Sequence, residues 1–362
     1  MSLPLEQSAV AELPDRLKAG GDGGNLLALH LMGLLLTMVT LGIYRFWWRT
    51  NARRYLWSSL SYKGDPFEYT GKGLELFLGF LIVLFLVVAP LSGLYFFGYW
   101  LLKSGETVIG ITIMAGIYIG MFALFGAAIY RVMVYRLSRT RWRGIRAALG
   151  GSSWRYTGLY LWCLLLQIVT LGFAAPYASI RLNGYMLNNA WFGSGRFAFQ
   201  ADWKPLMKYY VVPGAIQLAS FAVMAWGFYV VHKASPEGGT ADYGMLWTGF
   251  GIVGVGLLIL IAGLIGMFWY SAALLRTLAA GTTFEGVRFR APIGGGRLCR
   301  FVIGNALLVI VTQYIAYPWV QLRILRLVAE TLEIHGEPDF AAIAQNTSLQ
   351  PRFGEGLGEA FL

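Results

Sequence analysis

The chain of 362 residues is 57% hydrophobic and only 13% charged, with 46 glycines and 13 tryptophans. A soluble domain carries about a quarter charged residues, so these proportions exclude an ordinary soluble enzyme and point to the bilayer. The formal net charge of +11 would suggest nucleic acid in a soluble chain; here the basic residues flank apolar runs, so topology and anionic lipid headgroups explain them and no nucleic-acid partner is expected.

The polar, Gly-rich opening of the chain carries no sign of a cleavable leader. After a hairpin remnant expected at Leu13–Leu17 comes Leu26–Thr40, the first of three short apolar legs; the others are Arg155–Thr170 and Phe301–Thr312. They offer 12 to 16 residues each, about 18–24 Å at ~1.5 Å per residue, which falls short of ~30 Å of hydrocarbon. Each ends at a break and continues into a second leg: Tyr44–Leu60, Pro176–Ala190 and Pro318–Glu333. In the first of these, Arg45, Arg49 and Arg53 recur every fourth residue among Tyr44, Trp48 and Tyr55, a pattern suited to the headgroup level. Four longer runs are full spans: Leu74–Leu102, Val108–Tyr130, Leu206–Val231 and Met245–Leu275. Between them, residues 62–69, 141–146, 192–199 and 283–290 alternate polar and apolar side chains around Gly-containing turns and predict short β-hairpins.

The breaks repeat. Leu-Leu-Leu-Thr-Met-Val-Thr-Leu-Gly (34–42), Leu-Leu-Leu-Gln-Ile-Val-Thr-Leu-Gly (164–172) and Ala-Leu-Leu-Val-Ile-Val-Thr-Gln-Tyr (306–314) are spaced by 130 from Gly42 to Gly172 and by 142 from Thr170 to Thr312. The same steps superpose Arg16, Arg146 and Arg288, and pair Pro176 with Pro318 and Arg181 with Arg323. The expected organisation is repeat one at 1–136, repeat two at 137–276, a partial repeat three at 277–340 and a tail at 341–362. The fold class is then an all-α polytopic membrane protein with short cytoplasmic β-hairpins, each repeat holding a re-entrant or broken helix plus two transmembrane helices. If the short legs enter and return on one side, 27 of the 29 Lys and Arg share that side and only Lys103 and Lys233 lie opposite. The positive-inside rule therefore places the hairpins and both termini in the cytoplasm.

The Thr-Leu-Gly-Ile-Tyr phrase (40–44), the aromatic–Arg helix ending Arg53-Arg54-Tyr55, the Gly64-x-x-Phe67-x-Tyr69-x-Gly71 stretch and the C-terminal Phe353–Phe361 segment resemble the YjgN-like bacterial inner-membrane proteins. The resemblance implies a multi-pass protein of the bacterial inner membrane. That family is defined by a domain of unknown function, so no activity and no functional residues come with it. Copy three departs from its pattern, with Gln313-Tyr314 in place of Leu-Gly.

No catalytic signature is present, and no cofactor or metal is expected: His30, His232 and His335 lack ligand spacing, and Cys163 and Cys299 are isolated. No enzymatic activity is expected. Gln167 and Gln313 flank the breaks, where freed backbone must be satisfied within protein or by water. Arg49, Arg53, Arg181 and Arg323 sit on second legs. These six are the candidate contacts for a ligand or lipid headgroup, with anionic membrane lipids as the expected partners. Two functions remain open: binding or transport of a small solute or anionic amphiphile, and a structural or partner-binding scaffold acting through the cytoplasmic hairpins.

Overall fold

The computed structural model describes residues 14–234, 242–337, 340 and 343; Leu13 and the 353–361 motif lie outside them. The chain alternates strand pairs with helical hairpins. Strands β1 (Asp15–Arg16) and β2 (Lys18–Ala19) lead into α1 (Gly23–Val39) and α2 (Arg45–Ser58). Next, β3 (Leu60–Tyr62) and β4 (Asp65–Tyr69) precede α3 (Gly73–Val83), a π-helical turn (Leu84–Val88), α4 (Ala89–Lys103) and α5 (Thr107–Ser138). Strands β5 (Thr140–Trp142) and β6 (Ile145–Leu149) precede α6 (Ser153–Val169) and α7 (Ala175–Asn188). Strands β7 (Ala190–Phe192) and β8 (Gly195–Phe199) precede α8 (Lys204–Ala234) and α9 (Tyr243–Gly281). Finally β9 (Thr282–Phe284) and β10 (Val287–Arg290) precede α10 (Gly295–Val311), α11 (Tyr317–Thr331) and β11 (Glu333–His335).

The hairpins do not stand separately. They join into one antiparallel sheet of eleven strands in the order β1-β11-β10-β9-β8-β7-β6-β5-β4-β3-β2, and this corrects the all-α expectation. Residues 15–19 bridge the seam, Asp15 and Arg16 pairing with β11 while Lys18 and Ala19 pair with β3, so the sheet curls into a near-barrel. Strands this short are marginal alone, and curling leaves no long raw edge. Tyr62, Trp142, Val287 and Ile334 fill the inside with Phe67, Phe192 and Phe289. Two-residue turns join four strand pairs. Lys63-Gly64, Arg143-Gly144 and Glu285-Gly286 each have both φ values positive, the twist that favours tight hairpins. All four turns therefore lie on one rim, and every helical hairpin begins and ends at the other.

Among the described residues, four helical stretches are long and apolar enough to cross a membrane: Gly73–Lys103, Thr107–Ser138, Lys204–Ala234 and Tyr243–Gly281. They match the four expected spans. The π-turn in the first sits where Pro90, having no N–H to donate, interrupts the ladder. The three short hairpins leave the helix rim and return to it. Their breaks share one construction. The Gly42, Gly172 and Tyr314 amides reach back to the Thr37, Gln167 and Val309 carbonyls at 2.7, 2.6 and 2.8 Å. Thr40, Thr170 and Thr312 each donate Oγ1 to the carbonyl four residues earlier and accept the N–H four residues later. Orphan groups at both helix ends are thereby satisfied inside the turn.

Candidate functional site

The helix feet standing on the barrel rim do not meet at the centre. They leave a cavity of about 540 Å3, within the range of small-molecule sites. Its walls are Met133 and Leu137 of α5, Met186 and Leu187 of α7, Leu275 and Leu278 of α9, Leu298 of α10, and Leu327 and Val328 of α11. Two of its polar lining residues bond to the carbonyl four residues earlier: Asn183 Nδ2 donates to the Ser179 carbonyl at 2.8 Å and Thr282 Oγ1 to the Leu278 carbonyl at 2.7 Å. A third, Thr331, keeps its buried Oγ1 without a hydrogen-bond partner among the described residues.

A second space of about 320 Å3 occupies the barrel and shares Leu137, Ala190, Phe197, Phe289 and Leu332 with the first. The two form one apolar tract from the helix feet into the barrel. Phe340 lines the barrel part, its ring 4.8 Å from that of Trp142 and 6.2 Å from that of Tyr62. Charges gird the rim that carries the strand turns. Arg143 pairs with Asp65 at 2.5 Å, and Lys63 meets both Asp15 (3.5 Å) and Glu337. Burial, then the neighbouring Asp15 carboxylate, pushes the Tyr62 hydroxyl up, and the hydrogen bond to Glu337 pushes Lys63 up.

Two short hairpins are pinned at their feet by a tyrosine. Tyr55 Oη accepts the Asp22 N–H at 2.8 Å and donates to the Asp22 carbonyl at 2.9 Å; Tyr185 does the same to Ser152 at 3.1 and 2.9 Å. Both partners obey the 130-residue step. The third hairpin carries Gly294 and Leu327 at the equivalent places. Its feet are joined instead by a surface ion pair, Arg297 to Glu330 at 2.7 Å.

None of the six side chains singled out from sequence is among the residues lining this tract. Arg49 is exposed on α2, and Arg53 lies beside Tyr69, its Nη1 3.4 Å from the hydroxyl. Arg181 stacks on Tyr177 and Arg323 reaches Asn305 at 3.2 Å. They occupy three different helices around the ring, where the second legs were expected to carry them. Gln167 donates to the Cys163 carbonyl at 3.4 Å, and Gln313 is exposed in the third break. The lining residues themselves are mainly apolar and indistinguishable in sequence from lipid-facing ones; only the missing tyrosine at position 327 marks the place.

The sequence profile of a family described as "Bacterial protein of unknown function (DUF898)" matches residues 15–360. Among curated proteins, the chain is 23% identical to the inner membrane protein YjgN of Salmonella typhimurium, covering 88% of each chain. No solved structure matches.

Proposed function

Because the chain belongs to the DUF898 family of bacterial membrane proteins of unknown function, we propose a role drawn from its own architecture: non-enzymatic binding of an amphiphile, whose hydrocarbon chain occupies the tract between the helix feet and the barrel. The observation that carries this reading is the cavity of about 540 Å3 with aliphatic walls opening into an aromatic lumen. Such a lining offers a small polar solute almost nothing to bond, so of the ligands open from sequence the amphiphile fits better. A chain entering from the bilayer gains little hydrophobic energy, since lipid tails are as apolar as leucine. Selectivity then rests on packing and on the headgroup. In the proposed orientation the hairpin rim and both termini face the cytoplasm, and the short helical hairpins are re-entrant, as the charge asymmetry supports.

The test is direct. Leu187→Trp or Leu298→Trp fills the cavity without adding charge. Titrated into detergent-solubilised protein, a fluorescent long-chain fatty acid should bind the wild type saturably and bind either variant at least tenfold more weakly. Wild-type binding that is absent, or unchanged in both filled variants with normal thermal unfolding, rejects the reading and leaves the scaffold role.

A further inference from the structure

We propose that the foot of the α10–α11 hairpin is the doorway to the cavity, and that Arg297 there takes the anionic headgroup of the entering amphiphile, a carboxylate or phosphate, in exchange for Glu330. This rests on the amphiphile reading of the cavity and says where the ligand enters and what its polar end must be.

Three observations converge on this foot. The first is the comparison among the three short hairpins. Asp22 with Tyr55 and Ser152 with Tyr185 form the same two-bond clamp, whereas Gly294 and Leu327 form none, lacking a hydroxyl to do so. Consistent with this, α10 and α11 touch less extensively than α1 with α2 or α6 with α7. The second is position. Leu298 on one leg and Leu327, Val328 and Thr331 on the other line the cavity, so the unclamped foot is part of its wall. The third is what replaces the clamp. Arg297 and Glu330 flank those same lining residues and bridge the two legs at 2.7 Å with about half of each side chain exposed (49% and 62%).

An exposed ion pair contributes little to stability, so parting it is cheap, whereas each foot held by tyrosine must lose two hydrogen bonds to open. The guanidinium forks onto planar carboxylate and onto phosphate alike. An amphiphile with its chain in the cavity and its head at the foot can offer Arg297 the same partner that Glu330 offers. The doorway thus closes on itself when empty and trades the Glu330 carboxylate for the ligand's anionic head when filled.

The experiment compares binding of a fatty acid, its methyl ester and an alkyl phosphate of the same chain length to purified full-length protein. The wild type should prefer one or both anionic probes over the ester by about fivefold, the scale of an exposed charge pair; whichever anion binds more tightly identifies the head. Arg297→Gln should remove the preference while leaving ester binding unchanged. Glu330→Gln should strengthen both anions and leave the ester alone. Equal wild-type affinity for all three probes, or a preference that survives Arg297→Gln, overturns the doorway while the cavity reading stands. Binding of none of the probes by the wild type rejects the cavity itself.

Discussion

At Tyr314 the backbone takes a left-handed conformation, φ 69°, at the place where the two companion breaks use Gly42 and Gly172 at 91°. A side chain there costs about 1–2 kcal/mol and glycine costs little. Gly172→Ala should therefore destabilise the protein by about 1 kcal/mol, while Tyr314→Gly should cost nothing or add stability; reversible unfolding in detergent measures both. The two glycine breaks were legible from Thr-Leu-Gly. The third was legible only by repeat spacing, because its sequence contradicts its conformation. Thr331 offers a second case. Its Oγ1 is buried without a partner, and such a group costs about 1–3 kcal/mol, so Thr331→Val should raise stability by roughly 1 kcal/mol. Nothing in the sequence distinguishes Thr331 from the paired Thr282; only the packing around it does.

The long helices α8 and α9 pack along their length through two heptad rows. Leu206, Pro213, Ser220, Gly227 and Ala234 are buried on one helix, and Gly249, Gly256, Gly263 and Tyr270 on the other. A Cβ on Gly227 would lie 3.0 Å from the Gly249 carbonyl, and one on Gly256 would lie 2.5 Å from Met224. Overfilling such an interface costs about 1–3 kcal/mol or more, so Gly256→Leu should lower the unfolding midpoint while Gly254→Leu, which meets open space, should not. The sequence of 249–266, with six glycines, suits close helix packing. It did not show which of them serve it, because a helix apolar all round has no polar face to mark the other side. The second legs were read more fully, since their arginines do mark a face. Replacing Arg49, Arg53, Arg181 and Arg323 together by Gln should reduce the anionic lipid retained on purification, each charge near an anionic surface contributing about 1 kcal/mol.

For the whole molecule, the four spans followed from hydropathy, and the breaks and the tight turns between strands from repeat spacing and turn chemistry. The near-barrel did not. Its strands are two to five residues long, and each outer neighbour lies beyond a helical hairpin, so no local periodicity announces the pairing. The cavity was illegible for the same reason, being bounded by residues from five helices. Orientation remains a prediction of the charge count: in intact cells and a background without Cys163 and Cys299, Ser104→Cys should react with an impermeant thiol reagent and Ser194→Cys should not. Comparable labelling at both sites would reverse the assignment. The seam has its own signature. Tyr62 and Lys63 both hold their protons more tightly folded than unfolded, so their contribution is whole below about pH 10 and is lost as pH rises through the raised values. Melting temperature should fall as pH rises above about 10, and less so in Lys63→Met.

The seam also dictates an order of biosynthesis. Asp15 and Arg16 wait for Ile334 and Glu333, so a chain emerging from the ribosome lays down its helical hairpins one after another while the ring stays open. Throughout that interval two strand edges stand unpaired at the membrane surface, one belonging to β1 and one to whichever strand was made last. Edges of this kind recruit other chains. Translation stopped anywhere before Glu333 leaves them permanently unmatched, so premature termination yields a product primed for self-association, and the last strand to be made is the one that ends the hazard.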